Sequence, residues 1–337
     1  MNASPSVAPA VSDLVRRALA GDRVALARTI SLVENEAPGA EGILAAAFPK
    51  TGVGVRIGVT GPPGAGKSTL TARLARAYRE QGHSVAVVAV DPTSPFSGGA
   101  LLGDRVRMFE LSGDPGVFIR SMASRGSLGG LSGTTTDVCD VLEASGFARI
   151  LIETVGVGQS ELEVAETADT TLVVLVPESG DSVQALKAGL MEIGDVFAIN
   201  KSDREGADRA AHAVRSMIHL GAHREGWEPP VVLTIAQTGQ GVAELVATIG
   251  KHLEFLSSRG LLERRRRRRL EERIDALVQA RSNAHYRSRV ADARREEILT
   301  RVEHREITPA EGARILHGEA WPEAAGRGAA THEGSSR

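Results

Sequence analysis

Apolar positions along the chain follow two successive rhythms. From 12 to 48 the spacing is helical, with Leu26, Ile30 and Val33 on one face. Gly21 and Pro38-Gly39 interrupt it, which predicts two or three short helices. From Val55 onward, short runs rich in Val and Ile take over, at 55–60, 84–90, 117–120, 149–153, 171–176, 196–199 and 231–235. Runs apolar on both faces are how buried parallel strands read. Helical segments lie between most of them, at 67–81, 136–144, 183–193, 207–220 and 242–256. This alternation predicts an α/β fold with a doubly wound, mainly parallel sheet. After Gly260 no strand signal remains. Leu270, Ile274, Leu277 and Arg281 keep helical spacing, and Thr308-Pro309-Ala310-Glu311 forms a capping box that opens another helix. The expected divisions are an N-terminal helical extension (1–50), a central α/β domain (51–258), a C-terminal helical arm (259–323) and a disordered tail (324–337).

The chemistry-bearing residues sit where the runs end. Gly61-Pro62-Pro63-Gly64-Ala65-Gly66-Lys67-Ser68, followed by Thr69, fits G-x-x-x-x-G-K-[ST] between a strand and a helix, the context that confirms this P-loop motif. Its glycines let backbone N–H groups converge on phosphate oxygens, and the helix N-terminus adds a positive dipole end. Lys67 is placed to reach the β- and γ-phosphates, and the Ser68 hydroxyl to hold Mg²⁺. Asn200-Lys201-Ser202-Asp203 follows the run 196–199 and matches the N-K-x-D element of GTP-binding proteins. The Asp203 carboxylate can accept from both N1–H and the exocyclic amine of guanine, which adenine cannot offer. Leaving such polar groups unpaired gives a GTP preference on the order of 10⁴. Lys201 would lie along the base, and Asn200 would brace the loops. Residues 234–239 follow the final run and resemble the last guanine loop, with Ala236, Gln237 and Thr238 as nucleotide-binding candidates.

Two carboxylates end strands beside the P-loop strand, Asp91 and Glu153, and both are candidates for Mg²⁺ or its water shell. The competing role for Asp91 is to cap the turn that follows it. Glu153-Thr154-Val155-Gly156 stands where many GTPases have D-x-x-G, so the Gly156 N–H is a candidate sensor of the γ-phosphate. The stretch 121–137 is rich in Gly, Ser and Thr without apolar period, as in a nucleotide-responsive switch or a plain surface loop. Arg125 is the cation within it that could neutralise transition-state charge; the competing reading is a solvated arginine.

Composition narrows the function classes. The chain has 337 residues, 42% hydrophobic, with 40 basic against 42 acidic side chains and a net charge of -2. That balance argues against a bulk polyanion binder. The single cysteine, Cys139, excludes an internal disulfide framework and a Cys-rich zinc site. A cytoplasmic protein without a secretory signal is expected, since the N-terminus lacks a basic region and a long apolar run. No apolar stretch is long enough to span a bilayer. Glu263 is followed by arginines from Arg264 to Arg269, with Glu271, Glu272 and Asp275 after them. The expected role is a solvated or inter-subunit helix face, not a nucleic-acid site. Cys139 is expected to be a buried inert thiol, and the histidines, including His219, His223 and His252, to lie on the surface.

GPPGAGKST at 61–69, DPTSP at 91–95, SGGALLGDRVRM at 97–108, SMASRGSLGGLS at 121–132, ETVGVGQSE at 153–161 and NKSD at 200–203 occur in order. As a set they resemble the MeaB/ArgK family, the G proteins that chaperone adenosylcobalamin-dependent acyl-CoA mutases. The resemblance spans about residues 12–320 and departs from the family only outside the motifs, as at Phe96. It implies a homodimeric GTPase with a central G domain and a C-terminal dimerisation arm, cycling between GTP and GDP. It implies a partner of the methylmalonyl-CoA mutase type, whose cofactor loading the protein gates and which it protects from inactivation. It also implies that acidic residues matching Asp91, Asp104 and Glu153 surround Mg²⁺ with Ser68. The segment from Gly180 to Lys187 matches the family's third switch, which faces the mutase, so Lys187 is a candidate for completing the catalytic site. No general base is evident, so intrinsic turnover is expected to be slow and accelerated by the mutase. The alternatives are a metallochaperone GTPase for metal-centre insertion and a binding module that never hydrolyses its nucleotide.

Overall fold

The computed structural model describes residues 9–92, 111, 113–124, 130–154, 160–177, 189–220 and 224–322. Two compact units emerge, Met1–Arg269 and Leu270–Arg337.

The first unit opens with three short helices, α1 (Pro9–Leu19), α2 (Arg23–Glu34) and α3 (Ala40–Ala47). Asp22 caps α2 by accepting from the Val24 and Ala25 amides at 3.0 Å each, satisfying two of the orphan donors of the first turn. The strands follow as β1 (Val55–Thr60), β2 (Val85–Pro92), β3 (Val117–Ser124), β4 (Arg149–Thr154), β5 (Thr170–Leu175), β6 (Val196–Asn200) and β7 (Val231–Thr234). They pair in the order β3-β2-β4-β1-β5-β6-β7, every pair parallel. Between and after them run α4 (Lys67–Glu80), α5 (Gly130–Ala144), α6 (Ser160–Thr167), α7 (Leu190–Ile193), α8 (Ala207–Leu220) and α9 (Val242–Ser258).

The period of two in the strands sorts side chains to opposite faces. Ile57, Val59, Val85, Val87, Leu172 and Val174 meet Leu70 and Leu74 of α4 and Leu245 and Ile249 of α9. Ala86, Val88, Val90, Ile150 and Ile152 meet α5 and the three N-terminal helices through Leu26, Ile30 and Ile43. Val173, Leu175, Phe197 and Ile199 meet α8 through Ala211 and Val214. Each fully buried Leu or Ile in these layers contributes about 1.5–3 kcal/mol of transfer free energy.

The structure extends several expected boundaries. β2 and β3 run on to Pro92 and Ser124, with Asp91 opposite Ala123 and Pro92 opposite Ser124. Backbone pairing there outlasts the apolar run, because the strand ends have left the core. α5 begins at Gly130 although helical spacing starts near 136, since only its later turns pack inward through Val138, Cys139, Val141 and Leu142. The expected loop 121–137 is therefore strand to Ser124 and helix from Gly130. Of the expected helix 183–193, the described part is α7.

The arginine run also differs from expectation. It lies in the first turns of α10 (Leu261–Arg289), and Arg265, Arg266 and Arg269 turn inward. Arg266 and Arg269 donate to the Asp169 carboxylate at 2.8 and 2.6 Å, and Arg266 also donates to the carbonyls of Gly52 and Gly54. Arg265 donates to Asp195 at 3.2 Å and to Glu225 at 3.1 Å. Opposed carboxylates at the start of β5 and β6 attract these cations; their distance along the chain hid the pairing. Burial alone would raise the Asp169 carboxyl, but the Arg266 bond and the charges of Arg269 and Arg266 hold it at about 2.

His252 is fully buried, not superficial. Its Nδ1 lies 2.8 Å from Thr170 Oγ1, and Trp227 packs 4.9 Å from its ring. Burial lowers its pKa. Cys139 is buried, and desolvation pushes its thiol up to about 12, so no thiolate forms near neutrality. His219 is exposed on α8, and His223 lies outside the described residues.

In the second unit, the remainder of α10 is followed by α11 (Asp292–Glu303) and α12 (Pro309–Ala320). The capping box at Thr308 and Glu311 is present. Leu270, Ile274, Leu277 and Val278 of α10 are exposed. Among the described residues no helix is long and apolar enough to cross a membrane.

Candidate functional site

All strands being parallel, the loops after β1, β2, β4, β6 and β7 leave from one edge of the sheet, the carboxyl edge where doubly wound folds bind ligands. The P-loop joins β1 to α4. Gly61 adopts φ 136°, and a Cβ there would sit 2.1 Å from the Val174 carbonyl oxygen. Gly66 adopts φ 86°, and its Cβ would sit 2.4 Å from Asn200 Nδ2. Only glycine lets the loop pass so close to β5 and to the end of β6.

Lys67 is the first residue of α4 and is 5% exposed. Its Nζ donates to the Gly61 carbonyl at 2.7 Å and to that of Pro62 at 3.0 Å. A buried ammonium thus rests on loop carbonyls. The next side chain, Ser68, donates through Oγ to Glu153 Oε1 at 2.5 Å. Glu153 is itself buried, near the end of β4 beside β1. Ala89 of β2 pairs with Glu153, so Asp91 follows two residues later on the neighbouring strand. Its side chain, together with Asp104, Arg125, Gly156 and Lys187, lies outside the described residues.

Asn200 ties three loops together. Its Nδ2 donates to the Ala65 carbonyl at 2.8 Å, and its Oδ1 accepts from the Ala236 amide at 3.0 Å and the Thr234 hydroxyl at 3.3 Å. Lys201 takes a left-handed φ of 57° and turns the chain, so that the Arg204 amide bonds back to its carbonyl. The Ser202 amide bonds to the Thr234 carbonyl at 3.1 Å. Asp203 is exposed at the tip. In the loop after β7, Ala236 is buried while Gln237 and Thr238 are exposed. The phosphate loop, the N-K-x-D loop and the loop at 236–238 therefore share hydrogen bonds, centred on one amide side chain.

Three residues escaped sequence reasoning. Arg73, on α4, donates through Nε to the Ala236 carbonyl at 3.0 Å and through Nη2 to the Gln237 carbonyl. Nothing in its sequence context marks it. Thr60 and Thr154, one at each strand end, lie with hydroxyls 3.4 Å apart beneath the site. Among the described residues no group of three or more His, Cys, Asp or Glu side chains could hold a metal ion.

The profile of a family described as methylmalonyl Co-A mutase-associated GTPase MeaB matches residues 26–291. The chain belongs to the MeaB family. The chain is similar to a GTPase-named protein of Pyrococcus abyssi, 48% identical over 309 residues, spanning 91% of this chain and 95% of that protein. GTPase ArgK of Escherichia coli is 34% identical, with 91% and 95% covered. The mouse methylmalonic aciduria type A homolog, mitochondrial, is 38% identical over 237 residues, covering 69% of this chain and 57% of that protein. In three dimensions, a crystal structure of an LAO/AO transport system kinase superposes with a TM-score of 0.72 at 29% identity, covering 93% of this chain and 98% of that one. This MeaB-family chain is a P-loop GTPase that binds and hydrolyses GTP.

Proposed function

We propose that the protein is a Mg²⁺-dependent GTPase that acts as a conformational chaperone for an adenosylcobalamin-dependent acyl-CoA mutase. The observation that carries the Mg²⁺ part is the Ser68 hydroxyl bonded to the buried Glu153 carboxylate beside Lys67. A hydroxyl and a carboxylate are hard oxygen donors suited to this cation. Ser68 and Glu153, with Asp91 and Asp104, would hold it. When bound, Mg²⁺ neutralises charge on the β- and γ-phosphate oxygens.

The residues of the chain do the remainder. The P-loop amides and Lys67 grip the phosphates, and Lys67 stabilises charge that grows as water attacks the γ-phosphorus. The bond to the β–γ bridging oxygen breaks, leaving GDP and inorganic phosphate. Asp203 accepts from the guanine N1–H and amine, Lys201 flanks the base, and Ala236, Gln237 and Thr238 lie toward its oxygen. Gly156, Arg125 and Lys187 complete the catalytic side.

The mutase partner is supported by the description of the matching family and by the name of the mouse relative. Homodimerisation is supported by the exposed stripe Leu270, Ile274, Leu277 and Val278, which repeats at helical spacing and suits a second apolar helix. The decisive test mixes purified protein with a candidate acyl-CoA mutase and a non-hydrolysable GTP analogue. A stable complex, with phosphate release accelerated when GTP replaces the analogue, is expected. No complex and no acceleration with any such mutase would overturn the chaperone role.

A further inference from the structure

The loop after β7 presents its backbone amides unequally. The Ile235 amide bonds to the Gln240 carbonyl at 3.0 Å, and the Ala236 amide to Asn200 Oδ1 at 3.0 Å. The Thr238 and Gly239 amides both bond to the Ile235 carbonyl, at 3.2 and 2.9 Å. The Gln240 amide bonds to Thr238 Oγ1 at 3.4 Å. Among the described residues, the Gln237 amide has no such bond. It is the donor of this loop left for a ligand.

The carbonyl on the same peptide unit, that of Ala236, is the one that Arg73 Nε holds at 3.0 Å. Arg73 Nη2 holds the next carbonyl, that of Gln237. A trans peptide is planar, with its C=O and N–H directed oppositely, so gripping the oxygen sets the direction of the amide. A guanidinium does this as a rigid two-pronged fork, which a point charge cannot. Arg73 sits six residues after Lys67 on α4, roughly 9 Å along the helix axis at 1.5 Å per residue. The helix that opens at the phosphate site therefore also sets the base loop.

We propose that Arg73 is a positioning residue for guanine recognition: it fixes the Ala236–Gln237 peptide plane and thereby aims the Gln237 amide at the oxygen on carbon 6 of the base. This rests on the reading of 236–238 as the guanine loop.

The test measures dissociation constants of GDP, 6-thioguanosine diphosphate and inosine diphosphate for the intact chain, Arg73→Ala and Arg73→Lys. The sulfur analogue differs from GDP only at position 6. Inosine diphosphate lacks only the amine that Asp203 reads. Arg73→Ala is expected to cut the GDP-over-thio preference about fivefold, the size of one neutral hydrogen bond, while leaving the GDP-over-inosine preference unchanged. Arg73→Lys keeps charge and stem but loses the fork, and serves if the alanine variant does not fold. It is expected to show the same selective loss, smaller in size. Equal weakening for all three ligands, or unchanged preferences, would overturn the role of Arg73. If the unaltered protein discriminates inosine but not the sulfur analogue, the guanine-loop reading itself fails, a result separable from the first.

Discussion

The two edges of the sheet use buried charge in opposite ways. At the amino edge, Arg56 of β1 donates to Asp140 at 2.6 Å and Glu143 at 3.0 Å. Glu143 also accepts from the Gly52 and Gly54 amides, and Asp169 accepts from the Arg56 amide, Arg266 and Arg269. Each ion there has a protein counter-ion or a fixed amide. At the carboxyl edge, Lys67 leans on neutral carbonyls and Glu153 on a hydroxyl. Lys67 opens the helix that follows the phosphate loop and Glu153 lies near the end of β4, so this edge places its charge where doubly wound folds bind ligands. Charge at the amino edge ties elements of the fold together; charge at the carboxyl edge lies where a ligand docks.

The contrast can be broken at either edge. Asp203→Ala should have the largest effect, erasing a guanosine-over-adenosine preference on the order of 10⁴. Calorimetry with both nucleotides checks this, and an unchanged preference would remove the base-reading role of the carboxylate. Lys67→Ala should next lower GTP turnover by about 10³ while leaving thermal unfolding close to that of the parent. Phosphate release and a melting curve on the same sample decide it. At the amino edge, Asp169→Asn should do the reverse. It leaves Arg266 and Arg269 without their shared counter-ion and should cost about 3 kcal/mol of stability, with guanine selectivity intact. Denaturant unfolding measures the first and nucleotide titration the second.

The smallest effect concerns pH. The folded Asp169 carboxyl sits at about 2, against 3.8 for an ordinary aspartate. A depressed carboxyl stabilises the fold fully above its unfolded value, and the contribution disappears as pH falls from about 4 to about 2. The stability gap between the parent and Asp169→Asn should therefore narrow by about 2 kcal/mol across that window. A gap that stays constant would mean that the carboxylate charge contributes little.

The carboxyl edge was largely legible because its motifs are local: each loop must follow its strand within a few residues. The amino edge was not. Arg56 lies near the start of an otherwise largely apolar strand, a hint of a buried partner, yet Asp140 and Glu143 are over 80 residues away. His252 reads as one more polar residue on a helix until Thr170 and Trp227 close over it. The arginine run showed its charge but not the side that turns inward, which Asp169 and Asp195 decide.

Spacing and periodicity alone determined the parallel α/β layering, the phosphate loop and the order of the guanine elements, because strand alternation and loop chemistry are written in adjacent residues. Which carboxylates the buried arginines pair with, and that Arg73 reaches the loop after β7, only the folded sheet decided. Hydrogen bonds and ion pairs depend on distances of a few ångströms, and a linear chain does not encode those distances locally.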